Sequence, residues 1–210
     1  MPSLIEQFKA HAAILPPVSP EEAERYDAYF ALLKEWNEKV NLVSRKSIDA
    51  SFAPHFADSV HIAHFAYEHR EKRELSDLGT GAGFPGMIFA IRYPQVRVKV
   101  FEKLAKRRLF LADAIEKLGM SNVVLEGALT DTKSSDLFTA RAVFPPEELF
   151  EFLKRRLWPG GRMVLSIGGS KEFPETPAQY KKIAEYAYEL PEGAGPRKNA
   201  VYELVPRGTK

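Results

Sequence analysis

The chain has 210 residues and is 45% hydrophobic, which favours one domain with an extension over two full domains. The absence of cysteine excludes disulfides, thiolate catalysis and cysteine-ligated zinc, and we expect no metal site. The net charge of +2 is too small to indicate a nucleic-acid partner by itself. Because the sequence has no signal peptide and no apolar run of roughly 20 residues, we expect a cytoplasmic protein that does not span a membrane.

The first third of the chain is predicted to be helical. Ser19, Pro20 and Glu22 form a helix start, with an N-cap, a first-turn proline and an acid three residues after the cap. Apolar side chains then follow at helical spacing, at Tyr26, Tyr29, Phe30, Leu33, Trp36 and Val40. A second helix is predicted over residues 48–65, with Pro54 in its early part. We therefore assign residues 1–72 to an N-terminal helical extension.

Strands and helices alternate in the rest of the chain. The predicted strands cover residues 74–78, 96–101, 123–126, 138–143 and 162–167. The predicted helices cover residues 86–92, 105–118 and 146–157, and a turn is expected at residues 158–161. This alternation predicts an α/β unit over residues 73–210, with a mostly parallel sheet and helices on both faces.

The C-terminal part is predicted to hold a helix over residues 178–185 and strands over 186–190 and 200–205. No helix separates these two strands, so they are expected to pair as an antiparallel hairpin at the sheet edge.

A glycine-rich segment follows the first predicted strand and carries most of the functional information. It runs Asp77-Leu78-Gly79-Thr80-Gly81-Ala82-Gly83-Phe84-Pro85-Gly86. Its glycines allow backbone N–H groups and a helix N-terminus to approach a ligand closely. Glu102 ends the second strand, 23 residues after Gly79 (102 minus 79), where an acid can accept hydrogen bonds from ribose hydroxyls. The pair predicts a nucleotide-like cofactor.

The glycine pattern alone leaves the cofactor open, since Gly81 to Gly86 also match the G-x-G-x-x-G of dinucleotide-binding folds. Asp77 disfavours a dinucleotide, because a carboxylate repels a pyrophosphate but attracts the ammonium and sulfonium groups of S-adenosylmethionine. Pro85 stands where a dinucleotide fold needs a close helix entry, and about 135 residues are few for two nucleotide-binding halves plus a substrate site. We therefore favour S-adenosylmethionine over a nicotinamide cofactor.

The glycine segment resembles the signature of the RsmG/GidB family, the bacterial small-subunit (16S) rRNA guanine-N7 methyltransferases, above all in its Gly-Phe-Pro-Gly ending. Further matches to the family are Lys34-Glu35-Trp36-Asn37 with Asn41-Leu42-Val43, His55-Phe56-Ala57-Asp58-Ser59-Val60, Phe101-Glu102-Lys103-Leu104-Ala105-Lys106-Arg107, Arg141-Ala142 and Pro159-Gly160-Gly161-Arg162. The resemblance implies a class I, Rossmann-like methyltransferase with a mostly parallel seven-stranded sheet. It also implies methylation of guanine N7 in small-subunit rRNA.

The resemblance further implies which residues hold the cofactor: Asp77, Gly79, Gly81, Gly83, Phe84, Glu102, Lys103, Leu104, Leu129, Thr130 and Arg141. Asp77 would orient the amino-acid end of the cofactor, and Phe84 would pack near its adenosyl group. Glu102 would bind the ribose, beside Lys103 and Leu104. Leu129 and Thr130 would border the adenine. Arg141 would hold either the methionine carboxylate or the RNA, and no residue is required as an acid or base.

The chain departs from the family pattern at Pro54, Leu129, Ala140 and Ile167. These departures keep a second hypothesis open, an RNA-binding protein with the same fold and an altered target or lost activity. The expected partner is small-subunit rRNA or a ribosomal particle, with the protein acting as a monomer. His55 and Asp58 are expected to form a local pair that fixes the N-terminal helices over the cofactor.

Overall fold

The computed structural model describes residues 16–43, 52–71, 74–128, 135–141 and 145–205. Its strands are β1 (Glu74–Leu78), β2 (Arg97–Phe101), β3 (Val123–Glu126), β4 (Ser135–Arg141), β5 (Leu157–Gly168), β6 (Tyr180–Glu189) and β7 (Pro196–Leu204). Its helices are α1 (Pro20–Lys39), α2 (Phe52–Glu68), α3 (Gly86–Arg92), α4 (Ala105–Lys117) and α5 (Pro146–Leu153), and a short 3-10 helix covers Pro191–Gly193.

The seven strands form one sheet in the order β3-β2-β1-β4-β5-β7-β6. The first five strands are parallel, and β7 lies antiparallel between β5 and β6, so the predicted edge hairpin is confirmed. The strand order reverses between β1 and β4, where Leu78 is paired with Ala140. In an open α/β sheet this switch point is where ligands bind, at the carboxyl ends of the strands.

Two apolar cores cover the two faces of the sheet. Helices α1 to α4 pack on one face, where Val98, Val164 and Val201 point from three different strands. Helix α5 packs on the other face, against Phe138 and Tyr202 among others. Alternate residues of one strand serve opposite cores, as the two-residue period of a strand requires. The predicted sheet with helices on both faces is therefore confirmed.

Helix α1 begins where the sequence predicts. The Ser19 hydroxyl accepts a hydrogen bond of 3.1 Å from the Glu22 N–H, and Pro20 occupies the first turn. The apolar stripe then buries Tyr26, Tyr29 and Leu33 completely. These side chains join the same core as the sheet, so the helix packs as part of the α/β unit. The division of the chain at residues 72 and 73 stays a prediction.

The helix predicted over residues 178–185 is wrong, because residues 178–179 form a turn and residues 180–185 belong to strand β6. Its lysines, glutamates and alanines favour a helix, but β7 supplies backbone partners along nearly the whole strand. Tyr180 anchors the strand by donating a hydrogen bond of 2.8 Å to the Phe150 carbonyl of α5. The tertiary contacts therefore override the local helix propensity, and β6 runs over Tyr180–Glu189 instead of starting at residue 186.

The turn predicted at residues 158–161 is present as an irregularity inside β5. Pairing with β4 jumps from Ser135–Leu157 to Leu137–Arg162, so extra residues bulge out of β5. Gly160 has a φ of +79° there. Helix α5 ends at Leu153, earlier than the predicted residue 157, and Leu157 is already the first residue of β5. In the part of the chain that the structure describes, no helix is both long and apolar enough to cross a membrane.

Candidate cofactor and substrate site

The glycine loop joins β1 to α3 at the switch point. Gly79, Gly81 and Gly83 all adopt positive φ angles, of 60°, 62° and 85°. A Cβ on Gly83 would overlap the Tyr29 hydroxyl and lie 2.6 Å from Met87 Cγ. Glycine is therefore required at position 83 both for its backbone conformation and for the close approach of α1.

Asp77 lies beneath the loop and is fully buried. Its Oδ2 accepts a hydrogen bond of 2.9 Å from the Gly86 N–H at the start of α3, and its Oδ1 accepts one of 2.8 Å from the Thr139 hydroxyl of β4. Burial raises the pKa of this carboxyl to about 6, although these hydrogen bonds oppose the shift. Asp77 thus fixes the end of the loop to β4, and its predicted contact with the cofactor stays a prediction.

Glu102 lies against the same loop, as its position after β2 predicts. Its Oε2 accepts a hydrogen bond of 3.0 Å from the Gly81 N–H, and its Oε1 accepts one of 2.9 Å from the Leu104 N–H. Arg107 lies 3.5 Å away through Nη1. A carboxylate offers about four lone-pair sites, so Glu102 keeps acceptor capacity for two ribose hydroxyls. Because it is only 4% exposed, its orientation is set by the protein before any ligand binds.

The other residues predicted near the adenosine are distributed around this corner. Lys103 and Leu104 are exposed and lead into α4, with Leu104 47% exposed. Leu129 and Thr130 lie outside the described residues. Phe84 is buried and packs edge-on against Tyr29 and Phe56, with ring centroids 6.3 and 6.1 Å apart. Its predicted contact with the adenosyl group stays a prediction.

A groove of about 460 Å³ opens beside Glu102, between the end of α1 and the start of α4. Its lining residues are Glu38, Lys39, Val40, Asn41, Leu104, Ala105, Lys106 and Arg107. Three of these eight side chains are cationic and one is anionic, and Lys39 and Arg107 also pair with the carboxylates of Glu35 and Glu102. The groove therefore carries a modest excess of positive charge.

Arg141 ends β4, beside the start of the glycine loop. Its Nη1 donates to Asp58 Oδ2 over 3.1 Å, and its guanidinium carbon lies 5.6 Å from the Phe84 ring centroid. Asp58 also accepts a hydrogen bond of 2.7 Å from the Tyr188 hydroxyl. The sequence predicted His55 as the partner of Asp58, and the structure gives it these two partners from distant parts of the chain.

Sequence patterns gave no signal for the supporting roles of Tyr29 and Tyr188. Tyr29 falls in the apolar stripe of α1 and Tyr188 in a strand, where both resemble ordinary core residues. Tyr29 nevertheless donates a hydrogen bond of 2.7 Å to the Ala82 carbonyl inside the glycine loop. Only the packing of the helices against the loop reveals this role.

Comparison with known proteins identifies the family. A family model described as rRNA small subunit methyltransferase G matches residues 22–192. The chain belongs to this family. It is 34% identical over 193 residues to the ribosomal RNA small subunit methyltransferase G of Lactococcus lactis subsp. cremoris, and the match covers 84% of the chain and 80% of that relative.

Solved structures agree with this fold. A mutant of MtNAS in complex with S-adenosylmethionine has a TM-score of 0.58 at 15% identity, over 89% of this chain and 77% of that one. The TYW2 of M. jannaschii in complex with AdoMet has a TM-score of 0.53 at 15% identity, over 72% and 77%. The predicted family and class I fold are confirmed. This methyltransferase G family member is an enzyme that uses S-adenosylmethionine, and the nicotinamide alternative is set aside.

Proposed function

We propose that this protein transfers the methyl group of S-adenosylmethionine to N7 of a guanosine in small-subunit rRNA. Family membership supports the class of RNA. The main structural support for the cofactor site is the hydrogen bond from the Gly81 N–H to the Glu102 carboxylate. This bond joins the predicted ribose acceptor to the glycine loop. Both groups lie at the carboxyl edge of the sheet, next to the switch point.

The chemistry needs few reactive side chains. Guanine N7 carries an in-plane lone pair and no proton, so no general base is required. The bound cofactor supplies an electrophilic methyl group on a good leaving group. The protein has to align N7 with that methyl group and exclude water. A loop held by the buried carboxyl groups of Asp77 and Glu102 suits this task because its backbone geometry is fixed before binding.

We assign roles at the site on this basis. Glu102 accepts hydrogen bonds from the ribose hydroxyls, and the loop around Gly79 and Gly81 lies along the cofactor. Leu129 and Thr130 border the adenine. Arg141, at the switch point, binds an oxyanion of the reactants.

The RNA is proposed to reach the site along the groove between α1 and α4. Lys39 and Lys106 line that groove and suit the phosphate backbone. The deep, narrow major groove of A-form RNA shields N7, so we infer that the target guanosine is unpaired or splayed out. We further propose that the protein acts as a monomer in the cytoplasm, where its rRNA substrate is assembled.

A methyl-transfer assay with base analysis tests the proposal. Purified protein and S-adenosylmethionine are incubated with small-subunit rRNA, either free or in ribosomal particles, from a strain that lacks this gene. Nucleoside mass spectrometry should then detect 7-methylguanosine that the untreated RNA lacks. Methylation of another atom contradicts the N7 assignment. Binding of RNA and cofactor without methyl transfer supports instead the RNA-binding protein with lost activity.

A further inference from the structure

Three separate elements meet at the Asp58 carboxylate. Asp58 comes from α2, Arg141 from the end of β4 and Tyr188 from β6. One carboxylate oxygen accepts from the Tyr188 hydroxyl over 2.7 Å, and the other accepts from Arg141 Nη1 over 3.1 Å. The Asp58 side chain is only 8% exposed, so its charge needs both partners.

The Tyr188 hydroxyl and the nearby His55 imidazole both stay uncharged near neutral pH. Burial and the charge of Asp58 raise the pKa of Tyr188 far above its usual value, so its hydroxyl remains a donor. Burial and the nearby Arg141 lower the pKa of His55, which keeps that imidazole neutral near pH 7. Arg141 is therefore the cation that the Asp58 carboxylate holds.

The ion pair leaves much of the Arg141 guanidinium available. A guanidinium carries five N–H donors, and the contact with Asp58 is made through Nη1. The Phe84 ring of the glycine loop lies 5.6 Å from the guanidinium carbon, and the Arg141 side chain is 22% exposed. The group thus sits between the loop and α2, with donors left for a ligand at the switch point.

We propose that Asp58 and Tyr188 are positioning residues that hold Arg141 in place to bind an oxyanion of the reactants. The inference rests on the proposed function, since the oxyanion is either the cofactor carboxylate or an RNA phosphate. Bidentate recognition of such groups depends on a fixed guanidinium plane, which a carboxylate partner provides. Without that partner the long arginine side chain samples several rotamers, and binding has to restrict them.

A purely structural role is the competing explanation. The Asp58 contacts could simply fasten α2 to the hairpin of β6 and β7, in which case their loss lowers stability but does not act through Arg141. A double-mutant cycle separates the two roles, because residues that act through one another have non-additive effects.

The experiment compares Asp58→Asn, Tyr188→Phe and Arg141→Gln with the doubles Asp58→Asn/Arg141→Gln and Tyr188→Phe/Arg141→Gln. Methyl transfer to rRNA gives kcat and KM, and calorimetry gives the Kd of S-adenosylmethionine. We expect Arg141→Gln to lower kcat/KM about 100-fold. Asp58→Asn should lower it about tenfold and Tyr188→Phe several-fold. Each double should be no slower than Arg141→Gln alone.

A matched control and two readouts complete the test. Tyr180→Phe removes a similar buried tyrosine hydrogen bond, to the Phe150 carbonyl, and should leave kcat/KM unchanged. A weaker Kd for S-adenosylmethionine in the single variants identifies the cofactor carboxylate as the oxyanion. A raised KM for RNA at constant Kd identifies an RNA phosphate.

The inference is overturned if each folded double variant loses kcat/KM by the product of the losses in its two single variants. It is also overturned if kcat/KM is unchanged in both Asp58→Asn and Tyr188→Phe. Tyr188→Phe keeps the test valid if Asp58→Asn does not fold, since it removes a single hydroxyl. Failure of the wild-type protein to methylate rRNA in the same assay counts against the proposed function instead.

Discussion

The Tyr29 hydroxyl of α1 donates a hydrogen bond of 2.7 Å to the Ala82 carbonyl, in the middle of the glycine loop. Both residues are buried, and the Tyr29 ring also packs edge-on against Phe84 of the same loop. The N-terminal helix therefore shapes the cofactor loop directly. Substitutions in α1 that remove this contact should therefore lower the affinity for the cofactor as well as the free energy of unfolding.

Replacement of Tyr29 by Phe tests this link. It leaves the buried Ala82 carbonyl without its donor, which should cost about 1–3 kcal/mol of unfolding free energy. The loosened loop should also bind S-adenosylmethionine several-fold more weakly. Urea denaturation and calorimetry measure the two effects. Tyr180→Phe is the matched control, because it should lose similar stability with unchanged cofactor affinity. Equal affinities in both variants would contradict the role of Tyr29.

Gly83→Ala should be far more damaging than a similar change elsewhere. The new methyl group would overlap the Tyr29 hydroxyl and Met87 at a backbone φ of +85°. Gly119 follows α4 with a φ of +59°, and a Cβ there would meet nothing within 4 Å. Gly119→Ala should therefore cost only the backbone strain, about 1–2 kcal/mol. Thermal unfolding compares the two, and a similar loss of Tm in both would show that the loop yields without strain.

The buried carboxyl of Asp77 predicts a characteristic pH dependence of stability. Its pKa of about 6 in the folded protein lies above the ~3.9 of an unfolded chain. Between these values the folded state holds a proton that the unfolded state has lost, so stability falls as pH rises. The full difference of about two units corresponds to roughly 3 kcal/mol.

Urea denaturation of the wild type and Asp77→Asn from pH 4 to pH 7.5 measures this effect. The variant cannot titrate at this position, so the wild type should lose stability relative to it as pH rises from about 4 to about 6, and the difference should level off above the folded pKa. A stability difference that stays constant with pH would mean that the folded and unfolded pKa values are equal.

The basic groove should make RNA binding depend on salt. Replacing Lys39 and Lys106 by Gln removes two cations from its lining, which should raise the KM for rRNA. It should also reduce the slope of log affinity against log salt by about 1.4, if the RNA there is single-stranded. Lys181→Gln with Lys182→Gln, on the edge strand β6, is the control and should leave both quantities unchanged. Equal salt slopes in the Lys39/Lys106 and Lys181/Lys182 double variants would contradict an RNA path along this groove.

Local sequence patterns and strand topology sufficed to predict one half of this site. Leu78 and Phe101 are paired at the carboxyl ends of β1 and β2, so the loop after one strand and Glu102 after the other must be neighbours. The start of α1 could also be predicted from local sequence, because a capping serine and a first-turn proline act within a single helical turn.

Contacts that join distant parts of the chain could not be predicted in this way. Tyr188 and Asp58 are 130 residues apart, and their bond depends on how α2 docks against the edge hairpin. The sequence suggested the nearer His55 as partner because local pairs are the only ones that spacing reveals. For the same reason the first part of β6, up to Glu185, was predicted as a helix, because its strand conformation depends on pairing with β7.

A crystal structure of this protein in complex with S-adenosylmethionine tests the proposed site most directly. We predict that the ribose hydroxyls lie within hydrogen-bond distance of the Glu102 carboxylate, with the adenosyl group leading toward Leu104. The sulfonium methyl group should lie at the switch point beside Gly79, on the side of Arg141. A cofactor bound away from Glu102 and the glycine loop would contradict this assignment.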